Sequence, residues 1–118
     1  MAEQFREYPY NPDYLVGNMG TVVVAETGQI CKLYQQKSGY VYVWIGKGRL
    51  KHSEPLHKLV AIVWCGEEGY KQGLYVDHKN TIRNDNRAEN LHWVTPKGNA
   101  NNPLTLAKRR KTRVTALG

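Results

Sequence analysis

Asp77 and His78 are adjacent, Asn90 follows His78 by twelve positions, and Asn99 follows Asn90 by nine. Imidazole is the one side chain whose unperturbed protonation lies near neutrality, so His78 is a candidate general base. A carboxylate and a side-chain amide oxygen are hard donors, suited to Mg²⁺ or Mn²⁺. An amide also donates as well as accepts, so Asn90 can brace a loop by bonding backbone on both of its sides. A base, a hard cation and a braced loop together meet the demands of phosphodiester hydrolysis by water. The nucleophile needs a proton acceptor, and the phosphate needs positive charge beside it.

These residues meet only if the right elements carry them. Leu74, Tyr75 and Val76 read as a short strand leading into Asp77 and His78. Residues 79–90 are rich in turn formers, and Leu91, His92, Trp93 and Val94 read as a second strand. Thr95 before Pro96 opens a helix, as an N-cap followed by proline at the first helical position, and Pro103 breaks or kinks it. With the strands antiparallel and the helix across them, Asn99 faces back toward Asp77. Read singly, Asp77 could cap a turn and His78 could be an ordinary loop histidine. Asn80, Asn84, Asp85 and Asn86 read as turn formers rather than ligands. A calcium loop starting at Asp77 fails, because Ile82 and Ala88 stand where its glycine and closing glutamate belong.

Upstream, residues 1–52 read as a small antiparallel sheet. The first dozen residues are extended, held so by Pro9 and Pro12. Residues 21–25 form a β-branched strand, and Thr27-Gly28 turns it toward a strand over 30–34. Residues 40–45 are the clearest strand, with Gly46-Lys47-Gly48 turning it back into Arg49, Leu50 and Lys51 as a hairpin. A linking helix over 53–66 follows, because Leu56, Leu59, Val60, Val63 and Trp64 make one apolar stripe at period 3.6. Ser53 is its N-cap and Gly66 its stop. Trp44, Trp64 and Trp93 read as core, His57 as a packing or supporting residue of the site, and His52 and His92 as surface or sheet positions.

Composition sets the class. The 118 residues fit one compact domain of ordinary globular composition, 41% hydrophobic and 23% charged. No apolar run reaches membrane-spanning length, and the N-terminus lacks the pattern of a signal peptide, so a cytoplasmic protein is expected. Cys31 and Cys65 have no thiol neighbours at structural-zinc spacing and read as reduced. Lys and Arg number 17 against 10 Asp and Glu, a net charge of +7, and no acidic residue follows Glu89. Such a surface attracts polyanions, with nucleic acid the leading partner and a solubilising tail or an acidic partner the alternatives.

Taken together, Val76-Asp77-His78, the run from Asn84 to Leu91, Trp93-Val94-Thr95 and Asn99 resemble the HNH motif of phage and intron-encoded homing endonucleases. The stretch from Tyr14 to Val22 resembles the short N-terminal element preceding HNH in those proteins, and His57-Lys58-Leu59-Val60-Ala61 their linking helix. The resemblance covers residues 14–102.

It implies an α+β fold: an N-terminal antiparallel sheet, the linking helix, a C-terminal ββα-metal (His-Me finger) unit over 74–102, and a basic tail over 103–118. It places His78 as the base, Asn90 at the central structural position, and Asp77 and Asn99 on one divalent metal ion, Mg²⁺ or Mn²⁺. With only two protein ligands, that ion should bind weakly until DNA arrives. The implied activity is metal-dependent hydrolysis of DNA, by a nicking or homing-type phage enzyme, leaving 5′-phosphate and 3′-hydroxyl ends. Arg83, Arg87, Lys97, Lys108, Arg109, Arg110, Lys111 and Arg113 are the expected DNA contacts. The implied partner is DNA, with no membrane and no small-molecule cofactor expected. The chain would act as monomer or homodimer, in the host cytoplasm if phage-encoded. The alternatives are a non-cleaving DNA-binding protein on the same scaffold, and an RNA-binding module, which accounts for the charge but for none of the spacing.

Overall fold

The computed structural model describes residues 2–95. The helix expected to follow Thr95, Asn99 within it, Lys97, and the basic residues Lys108, Arg109, Arg110, Lys111 and Arg113 of the tail lie outside the described residues.

Eight strands and two helices make up the described part. Strands β1 (Phe5–Glu7), β2 (Tyr14–Gly17) and β3 (Val22–Val24) form one antiparallel sheet in that order. Strands β4 (Leu33–Gln35), β5 (Val41–Ile45) and β6 (His52–Pro55) form a second. Helices α1 (Leu56–Trp64) and α2 (Glu67–Lys71) follow, and the ribbon of β7 (Tyr75–His78) and β8 (Leu91–Val94) closes the order.

Helix α1 is the hub. Leu56, Leu59, Val60, Ala61 and Ile62 are buried, whereas the stripe read from sequence ran through Val63 and Trp64, which are half-buried. The apolar face is broader than one stripe because α1 packs against both sheets and the ribbon at once. Val16 and Val22 from the first sheet, Val43 and Ile45 from the second and Leu91 from the ribbon meet it in a single core.

Several expectations are corrected. The N-terminal part holds two three-stranded sheets rather than one; Val23 of the first also bridges Ile30, and the Tyr14 hydroxyl accepts from the Gly46 N–H at 2.8 Å. The strand expected over 30–34 is divided: Leu33–Gln35 pairs with β5, while Ile30 bridges back to Val23. Arg49 to Lys51 do not form the return strand. Gly48–Leu50 coil into a 3-10 turn, and the returning strand is His52–Pro55, with Trp44 opposite Ser53. The linking helix therefore starts at Leu56, and Ser53 is no N-cap: its hydroxyl accepts a hydrogen bond from Tyr34 at 3.2 Å. Pro55 is tolerated at the end of that strand, where its fixed φ of −62° also suits a helix entry. Gly66 ends α1 with φ 98° as its type predicts, but the chain re-enters a helix at once in α2, which is too short for a period to reveal. Trp44 is 39% exposed rather than core, since its strand alternates and Val43 and Ile45 take the inward positions. It stacks on Tyr34, which also stacks on Tyr42.

Candidate active site

Antiparallel register sets the geometry at Asp77 and His78. Asp77 lies opposite His92 and His78 opposite Leu91. Directly opposed residues share a face of the ribbon, so His92 reaches Asp77, and its Nε2 lies 2.8 Å from Asp77 Oδ2. Asp77 is buried at 6% exposure, and this cross-strand imidazole is one of the groups that hold its carboxylate. His92, read from sequence as a plain sheet position, is a residue of the site.

His78 is equally buried, and its Nε2 lies 2.8 Å from Asn86 Oδ1. A carbonyl oxygen only accepts, so Nε2 carries the proton and the lone pair of the neutral ring sits on Nδ1. Two rings flank the imidazole: His57 of α1 at 5.3 Å, edge to face, and Tyr40 at 6.1 Å. Asn86, read as a turn former, is itself buried. Nothing in its local sequence distinguishes it from Asn84, which is exposed.

The loop between the strands is braced from inside. Asn90 Oδ1 accepts from the Asn80 backbone N–H at 3.1 Å, while its Nδ2 donates to Asn80 Oδ1 and to the Asp85 carbonyl, each at 2.9 Å. Bonding on both sides of the loop is the role its residue type suggested. Asn80 Oδ1 also accepts from the Ile82 N–H, an Asx turn. Between them Thr81 takes φ 62°, a left-handed conformation rare for a β-branched residue.

Arg83 and Arg87, expected on DNA, have partners within the protein. Arg87 donates through Nε and a terminal nitrogen to both oxygens of Asp85, at 2.8 and 2.9 Å, and its other terminal nitrogen reaches Glu89 at 2.6 Å. These bonds, aided by Asn80, hold the Asp85 carboxyl down to about 2. Arg83 donates to the Ser38 carbonyl at 2.7 Å and lies 4.8 Å over the Tyr40 ring.

The first sheet supports the same loop from behind. The Ala88 N–H donates to the Asn18 carbonyl at 2.7 Å, and Gly20, at φ 98°, leaves room beside the Asn86 backbone. Trp64 Nε1 donates to the Val16 carbonyl at 3.0 Å, tying α1 to the same sheet. Trp93 Nε1 donates to the Gly66 carbonyl at 2.8 Å, fixing the second strand to the helix turn. Cys65 and Cys31 are free and half-buried, and burial raises both thiols.

Among the described residues no three His, Cys, Asp or Glu side chains converge as a metal cluster, and Asp77 is the carboxylate next to His78. A single carboxylate with an amide oxygen to join it is the donor chemistry of a hard, largely hydrated cation rather than of zinc. No described helix is long and apolar enough to cross a membrane.

A family model described as HNH endonuclease matches residues 56–101, beginning at the first residue of α1. The DNA endonuclease I-HmuI of Bacillus phage SP01 is 38% identical over 81% of this chain and 54% of its own length. An uncharacterized HNH endonuclease of Acanthamoeba polyphaga mimivirus, L247, is 31% identical over 92% of this chain and 29% of its own. The chain thus spans about half or less of these relatives. A solved structure described as DNA binding and cleavage by the HNH homing endonuclease I-HmuI superposes with a TM-score of 0.76 at 32% identity. It covers 94% of this chain and 65% of that one.

Proposed function

This chain belongs to the HNH endonuclease family, and from that premise we propose that it cuts DNA by metal-dependent hydrolysis of a phosphodiester, with His78 Nδ1 as the general base. The observation that carries the reading is the Asn86 hydrogen bond to His78 Nε2, which leaves a lone pair on Nδ1 of a histidine next to Asp77.

In the proposed reaction Nδ1 takes a proton from water as the water oxygen attacks phosphorus and the bond to the 3′ oxygen breaks. Asn86 Oδ1 then stabilises the imidazolium, because its partner N–H has become more acidic. Asp77, oriented by His92, and Asn99 would hold one Mg²⁺ or Mn²⁺. When bound, that ion supplies positive charge to the phosphate and to the departing 3′ oxygen. Asn90 keeps the loop closed so that Asn86 and His78 stay in register. The products would carry 5′-phosphate and 3′-hydroxyl ends.

A net charge of +7 supports DNA as the partner. Lys97, Lys108, Arg109, Arg110, Lys111 and Arg113 are the proposed phosphate contacts, whereas Arg83 and Arg87 act first on the loop itself. One site of this kind serves one strand at a time, so a monomer nicks and a break in both strands calls for two copies or two events. A nicking or homing-type role is part of the proposal, the phage relative being described as a homing endonuclease.

Supercoiled plasmid incubated with Mn²⁺ or Mg²⁺ tests it. Conversion to open circle that is abolished by EDTA and by Asp77→Ala is the expected result. DNA binding with no nicking under any divalent metal would leave a non-cleaving binder on this scaffold.

A further inference from the structure

His57 presents a fact that the cleavage chemistry leaves unused. Its Nδ1 is buried and has no hydrogen-bond partner among the described residues. A phenyl ring would fill much the same space without stranding a polar atom, so what the neighbouring groups draw from His57 is the bulk and face of its ring. The ring stands edge to face against His78 at 5.3 Å and lies 5.4 Å from Tyr40, which in turn is 6.1 Å from His78.

These three rings come from three parts of the chain. His57 is on the first turn of α1, Tyr40 sits in the turn between β4 and β5, and His78 ends β7. The Tyr40 turn is held in place by the loop it faces, through the Arg83 bond to Ser38 and its guanidinium over the Tyr40 ring. Tyr40 lies outside the residues 56–101 that the family model matches. The hydrogen bond from His78 Nε2 to Asn86 fixes one edge of the base but not the rotation of its plane. Two flanking rings supply that second restraint.

Building on the base role given to His78, we propose that His57, with Tyr40 as its companion wall, is a positioning residue that holds the His78 imidazole in the single orientation and tautomer leaving Nδ1 as the base.

His57 acts as a wall and not as a proton relay. Burial first, and then the neighbouring His78, push its imidazole down to about 4, so it is neutral at physiological pH and takes no proton from His78. A neutral neighbour also adds no repulsion when His78 becomes imidazolium.

The test uses the full 118-residue chain with ¹⁵N-labelled histidine, in the wild type and in His57→Ala, His57→Phe and Tyr40→Leu, each checked by thermal melt. Histidine ¹⁵N spectra of the metal-free protein read the His78 tautomer directly, and Mn²⁺-dependent plasmid nicking reads kcat and KM. In the wild type His78 should show the Nε2–H form alone. His57→Ala should mix the tautomers and lower kcat about 10- to 100-fold with KM little changed, whereas His57→Phe should keep the tautomer and restore kcat to within about threefold. A folded His57→Ala with an unchanged His78 tautomer and kcat overturns the proposal, as does a folded His57→Phe that loses as much as Ala. If His57→Ala does not fold, the same two readouts on Tyr40→Leu decide in the same way. A wild-type chain that does not nick would refute the cleavage reading, while the tautomer comparison would still decide whether His57 positions His78.

Discussion

Asn90→Ala removes the brace of the loop that carries Asn86. The wild-type side chain, 6% exposed, makes three hydrogen bonds, at 3.1, 2.9 and 2.9 Å. At a net value near 1 kcal/mol each, their loss costs about 3 kcal/mol, with a little more from the Asp85 carbonyl left without its donor. For a domain of this size each kcal/mol lowers Tm by about 4 °C, so the variant should melt about 12 °C below wild type. Asn90→Asp should not rescue it, because a carboxylate would face two acceptors, Asn80 Oδ1 and the Asp85 carbonyl. Calorimetry gives the melting shift, and hydrogen exchange at the Asn80 and Ile82 amides gives its location. Those two amides should lose protection ahead of the α1 core, since one bonds Asn90 and the other depends on the Asn80 turn. A melting shift under about 3 °C with the Asn80 amide still protected would refute the reasoning. Asp85 with Arg87 would then be the true closure of the loop.

Three further outcomes follow from other contacts. Gly69→Ala places a Cβ inside the Trp93 indole, so it should displace that ring from the Gly66 carbonyl and cost about 1–3 kcal/mol, seen as a lower melt and a shifted tryptophan emission. His92→Ala releases one partner of the Asp77 carboxylate and should raise the Mn²⁺ concentration for half-maximal nicking about tenfold or more in metal titrations. His57 is depressed in the folded state from 6.5 to about 4, so the unfolded chain binds its proton first. The stability this group contributes is complete above about pH 6.5 and fades as pH falls toward 4, by about 2 kcal/mol at pH 5. Denaturant melts should show this slope in the wild type and lose it in His57→Phe.

How much was legible in the sequence depends on what set each feature. The strand that ends in Asp77 and His78 was readable because apolar, strand-forming residues lead into them. The bonds of Asn90 to both sides of the loop follow from the two-sided hydrogen bonding of an amide. Helix α1 was readable because one stripe of its apolar residues repeats at the helical period. The hairpin return at His52–Pro55 was not, since Ser53, Glu54 and Pro55 have poor strand propensity and pair only because β5 offers them a partner. Trp44 was misread for a related reason: size suggests core, but strand alternation decided the face. Asn86 and His92 were missed because their roles depend on register across the loop. Once His78 is set opposite Leu91, His92 must lie opposite Asp77, and that pairing could have been counted back from the brace at Asn90. Nothing in the sequence linked Tyr40 to His78, since the docking of a distant turn brings them together.

The base role of His78 is tested most directly by single-turnover nicking by His78→Ala with saturating Mn²⁺. The predicted result is a loss of about 10²- to 10⁴-fold in rate, with plasmid binding in gel shifts unchanged. A variant that still nicks within about tenfold of wild type would contradict it.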